Sequence, residues 1–331
     1  MIKSLISATG LSFALATSAF AADLPSRKAP VYIPPPAPAV WTGFYVGLNA
    51  GGGWGTSTSA YTTSAPLLDQ WAAANSYTGW TTPGIVGVTA LANSGFANVN
   101  QGGFIGGGQV GYNYQFAGPF VAGLEADIQG STIGGSGQYS GVSSDSAACC
   151  KGEVGTRTGI GFGRVSAGID WLGTVRARIG YLFTPTLLVY GTGGLAYGGI
   201  HLSSSNAFFG HTHDTQASPV DFTVAATPST GSVSDTLVGY SVGGGAEWMF
   251  LPNWSVKAEA LYYSLGGANL ISSPLFTSYN WNVVYCCGWA TGFPFTANIP
   301  STHVSFNGVI ARVGVNYHFN WFAPAPVLAK Y

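Results

Sequence analysis

Residues Asp170–Gly198 read D-W-L-G-T-V-R-A-R-I-G-Y-L-F, then T-P-T, then L-L-V-Y-G-T-G-G-L-A-Y-G, and this stretch decides the fold. In its first arm Trp171, Gly173, Val175, Ala177, Ile179, Tyr181 and Phe183 share one parity. Leu172, Thr174, Arg176, Arg178 and Gly180 share the other. A period of two belongs to a strand whose two faces meet different surroundings. Pro185 lacks a backbone N–H and has a fixed φ, so it suits the turn between the arms and not a ladder. The stretch is a β-hairpin with one apolar face and one face that carries two arginines.

Composition says where the apolar face turns. Charged residues make up only 7% of the 331-residue chain, against roughly a quarter in ordinary soluble domains. Glycine is abundant, at 49 residues, and aromatics reach 14%. A soluble globule of this size needs more surface charge, so the apolar face points outward, to lipid. The net charge of −1 gives no basic footprint for nucleic acid. Lys3, the apolar run Leu5–Ala19 and the Ala19-Phe20-Ala21 cleavage pattern mark residues 1–21 as a secretory signal. No later apolar run reaches the ~18 residues a spanning helix needs. An exported chain without such a run spans a bilayer only as a closed barrel. Residues 22–40, with Pro25, Pro30, Pro34, Pro35, Pro36 and Pro38, read as an extended periplasmic linker.

Eight arms with the same alternation follow: Thr42–Trp54, Gln101–Phe116, Phe120–Gly130, the two arms of the opening hairpin, Leu237–Phe250, Trp254–Gly266 and Val304–Phe319. Three connections are tight, at Ala117-Gly118-Pro119, Thr184-Pro185-Thr186 and Leu251-Pro252-Asn253. Four are long: Gly55–Asn100, Ser131–Ile169, Gly199–Thr236 and Gly267–His303. Short turns on one rim and long loops on the other are the pattern of an outer-membrane barrel. The expected fold is all-β, an eight-stranded antiparallel transmembrane β-barrel over residues 41–319 with long extracellular loops and a tail at 320–331. Tyr112, Tyr114, Phe116, Phe120, Tyr181, Phe183, Trp248, Phe250, Trp254, Tyr317 and Phe319 share the apolar parity and sit beside the short turns. They form an expected interfacial aromatic girdle on the periplasmic side.

The opposite parity carries the charge. Glu125, Asp127, Arg176, Arg178, Glu247, Lys257, Glu259 and Arg312 are four acids and four bases. Each Arg or Lys at mid-depth on the lipid face would cost about 2–4 kcal/mol, so they face the lumen. An eight-stranded barrel is just wide enough for its own side chains. A balanced ring therefore predicts a largely plugged lumen, with a narrow porin for small solutes or ions as the alternative.

Other motifs carry less. Cys149-Cys150 and Cys286-Cys287 are two vicinal pairs in an exported chain, and disulfides between the pairs are expected, since a bond between neighbours is strained. Free thiols are the alternative, and the spacing is not that of a zinc site. Gly106-x-Gly108-x-x-Gly111 matches a dinucleotide fingerprint, but strand alternation continues where a helix should begin. His201, His211 and His213, with Asp214, fall in the third long connection and read as solvated loop residues. His303 falls in the fourth, and His318 faces inward near the periplasmic mouth. No nucleophile elbow or H-E-x-x-H occurs, so no catalytic residues, metal or cofactor are expected.

Trp171–Tyr181, Leu188–Gly198, Gly239–Trp248 and Trp254–Tyr262, with the mature start A-D-L-P and W-T-G-F-Y-V-G at Trp41–Gly47, resemble the small outer-membrane β-barrel proteins of alphaproteobacteria, the porin-family or surface-antigen proteins. The resemblance covers the strands and little of the loops. It implies a Gram-negative outer-membrane location, surface-exposed antigenic loops and no enzymatic role. It implies as partners outer-membrane lipid and lipopolysaccharide, the barrel-assembly machinery, and host or environmental ligands at the loops, with a surface adhesin or ligand-binding role as a further alternative. Such barrels end on the aromatic of the last strand. Here Phe319 is followed by Asn320–Tyr331, so either Tyr317 and Phe319 act internally or Tyr331 substitutes.

Overall fold

A computed structural model describes residues 41–57, 59–67, 84–148, 154–214, 220–226, 228–278, 282–285, 288–291 and 294–319. The signal and linker readings at 1–40, the four cysteines and the tail at 320–331 lie outside the described residues. The strands are β1 (Gly43–Gly55), β2 (Ser59–Pro66), β3 (Gly95–Asn98), β4 (Gly102–Phe116), β5 (Phe120–Ala148), β6 (Val154–Thr184), β7 (Leu187–Asp214), β8 (Val220–Ala226), β9 (Ser229–Leu251), β10 (Trp254–Ile271), β11 (Leu275–Ser278), β12 (Asn282–Tyr285), β13 (Gly288–Thr291) and β14 (Pro294–His318). Among the described residues one helix, α1, covers Gly84–Ala92.

Antiparallel pairing closes a circuit β1–β4–β5–β6–β7–β9–β10–β14 and back to β1. These eight strands cover the eight expected arms to within one residue at Thr42, Gln101 and Phe319, and closure leaves no unpaired edge in the lipid. The tight turns sit where proline and glycine put them. Ala117 and Gly118 take positive φ, 45° and 79°, to reverse the chain within three residues.

The outer wall is apolar. Phe44, Leu48, Leu124, Ile128, Val175, Ile179, Leu195 and Val313 are exposed, each on the expected outward parity. The girdle residues flank the short turns, with Phe116 and Phe120 stacked at 6.0 Å and Trp254 edge-on to Tyr317 at 5.1 Å. A second belt lies at the other end of the wall, where no girdle was expected. Trp54 and Phe104 are exposed there, and Trp171 meets Tyr197 at 5.9 Å and Tyr240 meets Tyr262 at 6.2 Å. Tyr181 to Trp171 is ten residues, which at ~3.3 Å each and a tilt of ~40° spans about 25 Å, the height of a lipid-facing band.

Above the second belt the structure departs from the expected long loops. β5, β6 and β7 run 29, 31 and 28 residues, where ~9–11 suffice to span. Much of the expected connections Ser131–Ile169 and Gly199–Thr236 is strand, and His201, His211 and His213 lie on β7, not in a loop. His303 likewise lies on β14. The pairing also changes partners here. β2 continues β1 along β14, β3 pairs with β2, and β8 and β11 bridge β7 to β14.

The polarity of the wall inverts at the same level. In the lipid band polar side chains point in and apolar ones out. Above it Ile133, Val165, Ala167, Ile169, Ile200, Leu202, Phe208, Leu270, Val304 and Phe306 are buried inside, while Ser140, Arg164 and Ser205 face out. Bulges help make the switch. Register shifts between Ile169 and Trp171 in β6 and between Ser264 and Gly267 in β10 exchange faces, and Gly266 takes φ +83° within the second, whereas β5, shifted against β6 between Gly130 and Ile133, keeps its odd-numbered residues inward throughout. One extra residue exchanges a strand's faces. Asp170 does this for β6: Leu172, Thr174 and Arg176 point in below it, and Ile169, Ala167 and Val165 point in above it.

Candidate functional site

The eight charged side chains all sit inside the barrel and all are buried. Adjacent strands bring them together: Glu125 is paired with Arg176 across β5–β6, Lys257 with Glu247 across β10–β9, and Glu259 with Arg312 across β10–β14. Glu125 is the hub. Its Oε1 lies 2.6 Å from Arg176 Nη2 and 2.8 Å from Lys257 Nζ, and its Oε2 accepts the Tyr45 hydroxyl at 2.7 Å. Asp127 Oδ2 receives Arg176 Nη2 at 2.9 Å, Arg312 Nη2 at 2.8 Å and Thr174 Oγ1 at 2.8 Å. Glu259 takes Arg176 Nη1 at 2.7 Å and Arg312 Nη2 at 2.7 Å. Arg176 thus donates to three carboxylates from one planar fork, which is what guanidinium geometry favours.

Arg178 leads to a lower tier. It meets Glu247 at 2.9 Å and Asn113 Oδ1 at 2.9 Å, and its guanidinium lies between the Tyr45 and Tyr190 rings, 4.9 and 4.8 Å from their centroids. Glu247 Oε1 accepts from Ser255 Oγ at 2.5 Å and Asn316 Nδ2 at 2.7 Å, with His318 Nε2 at 3.2 Å. Gln109 links Asn316 to Asn49. Glycine makes room for the long side chains. A Cβ at Gly51 would come within 2.6 Å of the Arg312 Cα, so the wall beside this arginine is bare backbone.

The network is closed above and below. Towards the outer face it meets the buried apolar cluster that contains Ile105, Leu172, Leu261, Tyr263 and Ile310 and continues up through Ile133, Ile169 and Phe306. At the top α1 presents buried Val88, Ala90 and Ala92 to β5 and β6. Its end is fixed by Asn93, whose Nδ2 donates to Thr89 O at 2.9 Å, and by the Tyr139 hydroxyl, which donates to Asn93 O at 2.8 Å. A Cβ at Gly141 or Gly161 would stand 2.4 or 2.2 Å from Ala92 O, so these glycines form the floor on which the helix rests. At the periplasmic end Trp41 is fully buried against Val121, Leu188, Tyr190 and Met249.

The structure brings together the eight charged residues of the inward parity. Sequence reasoning missed Tyr45, Asn113, Ser255 and Asn316, which hydrogen-bond to the ring although each lies on an inward parity. It also missed Trp41 and α1. The sequence pattern that encodes α1 is nine residues without charge, G-I-V-G-V-T-A-L-A, inside a long connection. Among the described residues no group of three or more His, Cys, Asp or Glu could hold a metal ion. His201 Nδ1 lies 2.8 Å from Asp170 Oδ1, and His303 Nδ1 lies 2.8 Å from Asn269 Oδ1, on the outer surface.

The chain is similar to known proteins along most of its length. The family described as outer membrane protein beta-barrel domain matches residues 11–286. The 31 kDa outer-membrane immunogenic proteins of Brucella melitensis biotype 1 and of Brucella suis biovar 1 are each 33% identical over 280 residues, which is 82% of this chain and 90% of theirs. Among solved structures, the attachment invasion locus protein Ail of Yersinia pestis aligns over 84% of this chain and 99% of its own, at 11% identity and TM-score 0.29. OprG from Pseudomonas aeruginosa aligns over 84% of this chain and 96% of its own, at 10% identity and TM-score 0.29. At those scores the solved structures add nothing to the assignment. The family match, the extent of the Brucella likeness and the closed circuit of strands agree: the chain belongs to the outer membrane protein β-barrel family and resides in the Gram-negative outer membrane.

Proposed function

We propose that this protein is a closed outer-membrane scaffold that displays a folded surface as an antigen, and that it is neither a pore nor an enzyme. The carrying observation is the ion-paired network around Arg176, which fills the lumen with four acids and four bases and is roofed by a continuous apolar core. An ion-conducting constriction needs a hydrated path and sites that ions can leave. Here every charge already has a fixed partner of opposite sign. The Brucella relatives are named as immunogenic, and a wall of paired strands above the bilayer offers a stable surface of the same kind. The partners that fit this reading are outer-membrane lipid and lipopolysaccharide along the apolar band, the barrel-assembly machinery, and host or environmental ligands at the extracellular rim, with no nucleic acid. Planar-bilayer recording tests it: the purified, detergent-folded protein should insert without stable conductance steps, and long-lived openings would refute the closed lumen.

A second reading, adhesin or ligand-binding protein, is favoured by one observation. Val142, Ile160, Phe162 and Phe209 are exposed on the outer face above the lipid band, across three adjacent strands. Exposed apolar groups gathered in this way mark interaction sites. Whole-cell binding with Phe162→Ser and Phe209→Ser variants decides it, since binding unchanged by both would sink the role of this row.

A further inference from the structure

Trp41 precedes β1, yet its side chain does not follow the wall. Its indole is fully buried, and Nε1 donates at 3.0 Å to the carbonyl of Pro185 in the β6–β7 turn. Going round the circuit from β1, that turn is on the opposite side of the barrel. Trp41 therefore crosses the whole opening. Its ring stands edge-on to His318, with centroids 5.7 Å apart, and His318 is bonded to Ser255 and Glu247 in the polar interior.

The sequence around Trp41 builds this placement. Gly43 has φ +144°, a backbone conformation that L side chains rarely adopt, and a Cβ there would lie 2.8 Å from Phe319 O. That bend turns the chain from the wall into the mouth. Thr42 anchors the bend, accepting at Oγ1 the backbone N–H of Gln115 on β4 at 3.0 Å. In W-T-G, tryptophan is the body, threonine the anchor and glycine the bend.

We propose that Trp41 is a stopper that seals the periplasmic mouth and keeps water from His318 and the charge network behind it. This rests on the closed-lumen reading and adds to it a removable part, since the seal depends on one side chain carried by one bend. Among the described residues the stopper is held by a single side-chain hydrogen bond and apolar contact, whereas the network behind it is held by ion pairs. Withdrawing it opens the periplasmic vestibule without dismantling the barrel.

Acylation of histidine by diethyl pyrocarbonate, mapped by mass spectrometry on the detergent-folded full chain, reads the seal directly. His201 and His303 are exposed and serve as internal references, while His318 is buried. In the wild type His318 should react on the order of 100-fold more slowly than His201, because it is reached only by local opening. Trp41→Ala and Gly43→Ala should raise the His318 rate towards that of His201 and leave His201 itself unchanged. Trp41→Phe keeps the body and loses the N–H, so His318 should remain shielded relative to the alanine variant. Heat-modifiable gel migration selects folded barrels for each comparison. A wild-type barrel that does not conduct but whose His318 reacts as fast as His201 would overturn the stopper alone. So would a folded Trp41→Ala barrel with inert His318. A wild-type barrel that conducts would overturn the closed-lumen reading on which the stopper rests.

Discussion

At the scale of single residues, Arg176 shows what holds the interior. Its guanidinium is shared by Glu125, Asp127 and Glu259, all buried. Removing such a centre leaves three carboxylates with one cation fewer and no water to replace it. Arg176→Met should therefore destabilise the barrel by about 3–5 kcal/mol, the usual cost of orphaning a buried charge. The midpoint of urea unfolding in detergent or lipid measures this. Glu259→Gln should cost less, because Arg176 and Arg312 both keep other carboxylate partners. Equal losses for the two variants would mean that the network has no centre. The inward parity of these residues was legible in the sequence, since charge and apolar groups alternate strictly. Their partners were not, because whether Glu125 meets Lys257 depends on the curvature that brings β5 opposite β10.

At the scale of elements, the bulges and the glycine floor are the informative features. Asp170 is the extra residue at which β6 changes its inward parity. Deleting Asp170 removes the extra residue and leaves plain alternation, Leu172 in, Trp171 out, Ile169 in, so Ile169, Ala167 and Val165 keep their inward face. The variant should therefore keep both its heat-modifiable migration and the protease resistance of the extracellular part. Loss of that resistance would refute the reading of Asp170 as the one extra residue. For α1, Gly161→Val places a side chain where Ala92 O now lies 2.2 Å from the ideal Cβ. Overpacking of this kind costs about 1–3 kcal/mol, and it should appear locally as faster amide exchange at Asn93, whose N–H bonds to Thr89 O.

At the scale of the whole molecule, the chain is a membrane barrel continued upward by strands with a water-facing exterior and an apolar interior. Its eight ion-paired lumen charges sit where salt does not reach. Screening acts on exposed pairs and barely on buried ones. The thermal transition should therefore move little between ~0.1 M and ~1 M salt, where screening lengths fall from ~10 Å to ~3 Å. A large downward shift would show that surface pairs carry the stability. On intact cells the extracellular wall should resist protease, as a loop of comparable length would not.

The barrel could be read from the residues alone. Strict alternation, scarce charge, three tight turns and a parity that separates rings from ions leave one solution for an exported chain in lipid. Asp170–Gly198 carried the alternation, the parity and one of the tight turns. Alternation was also present above the membrane, but with its polarity reversed, and a reversed pattern in a serine- and glycine-rich segment reads as loop. Only the tertiary structure decided that these segments are strands. Their stability comes from cross-strand pairing and from an apolar interior completed by residues far apart in the chain, such as Ile133, Leu202 and Phe306. It alone decided the closures as well. A buried Trp41 and a resting place for α1 exist only once the wall has curved round to meet them. Local sequence sets which face a residue takes, and the closed circuit sets what stands opposite.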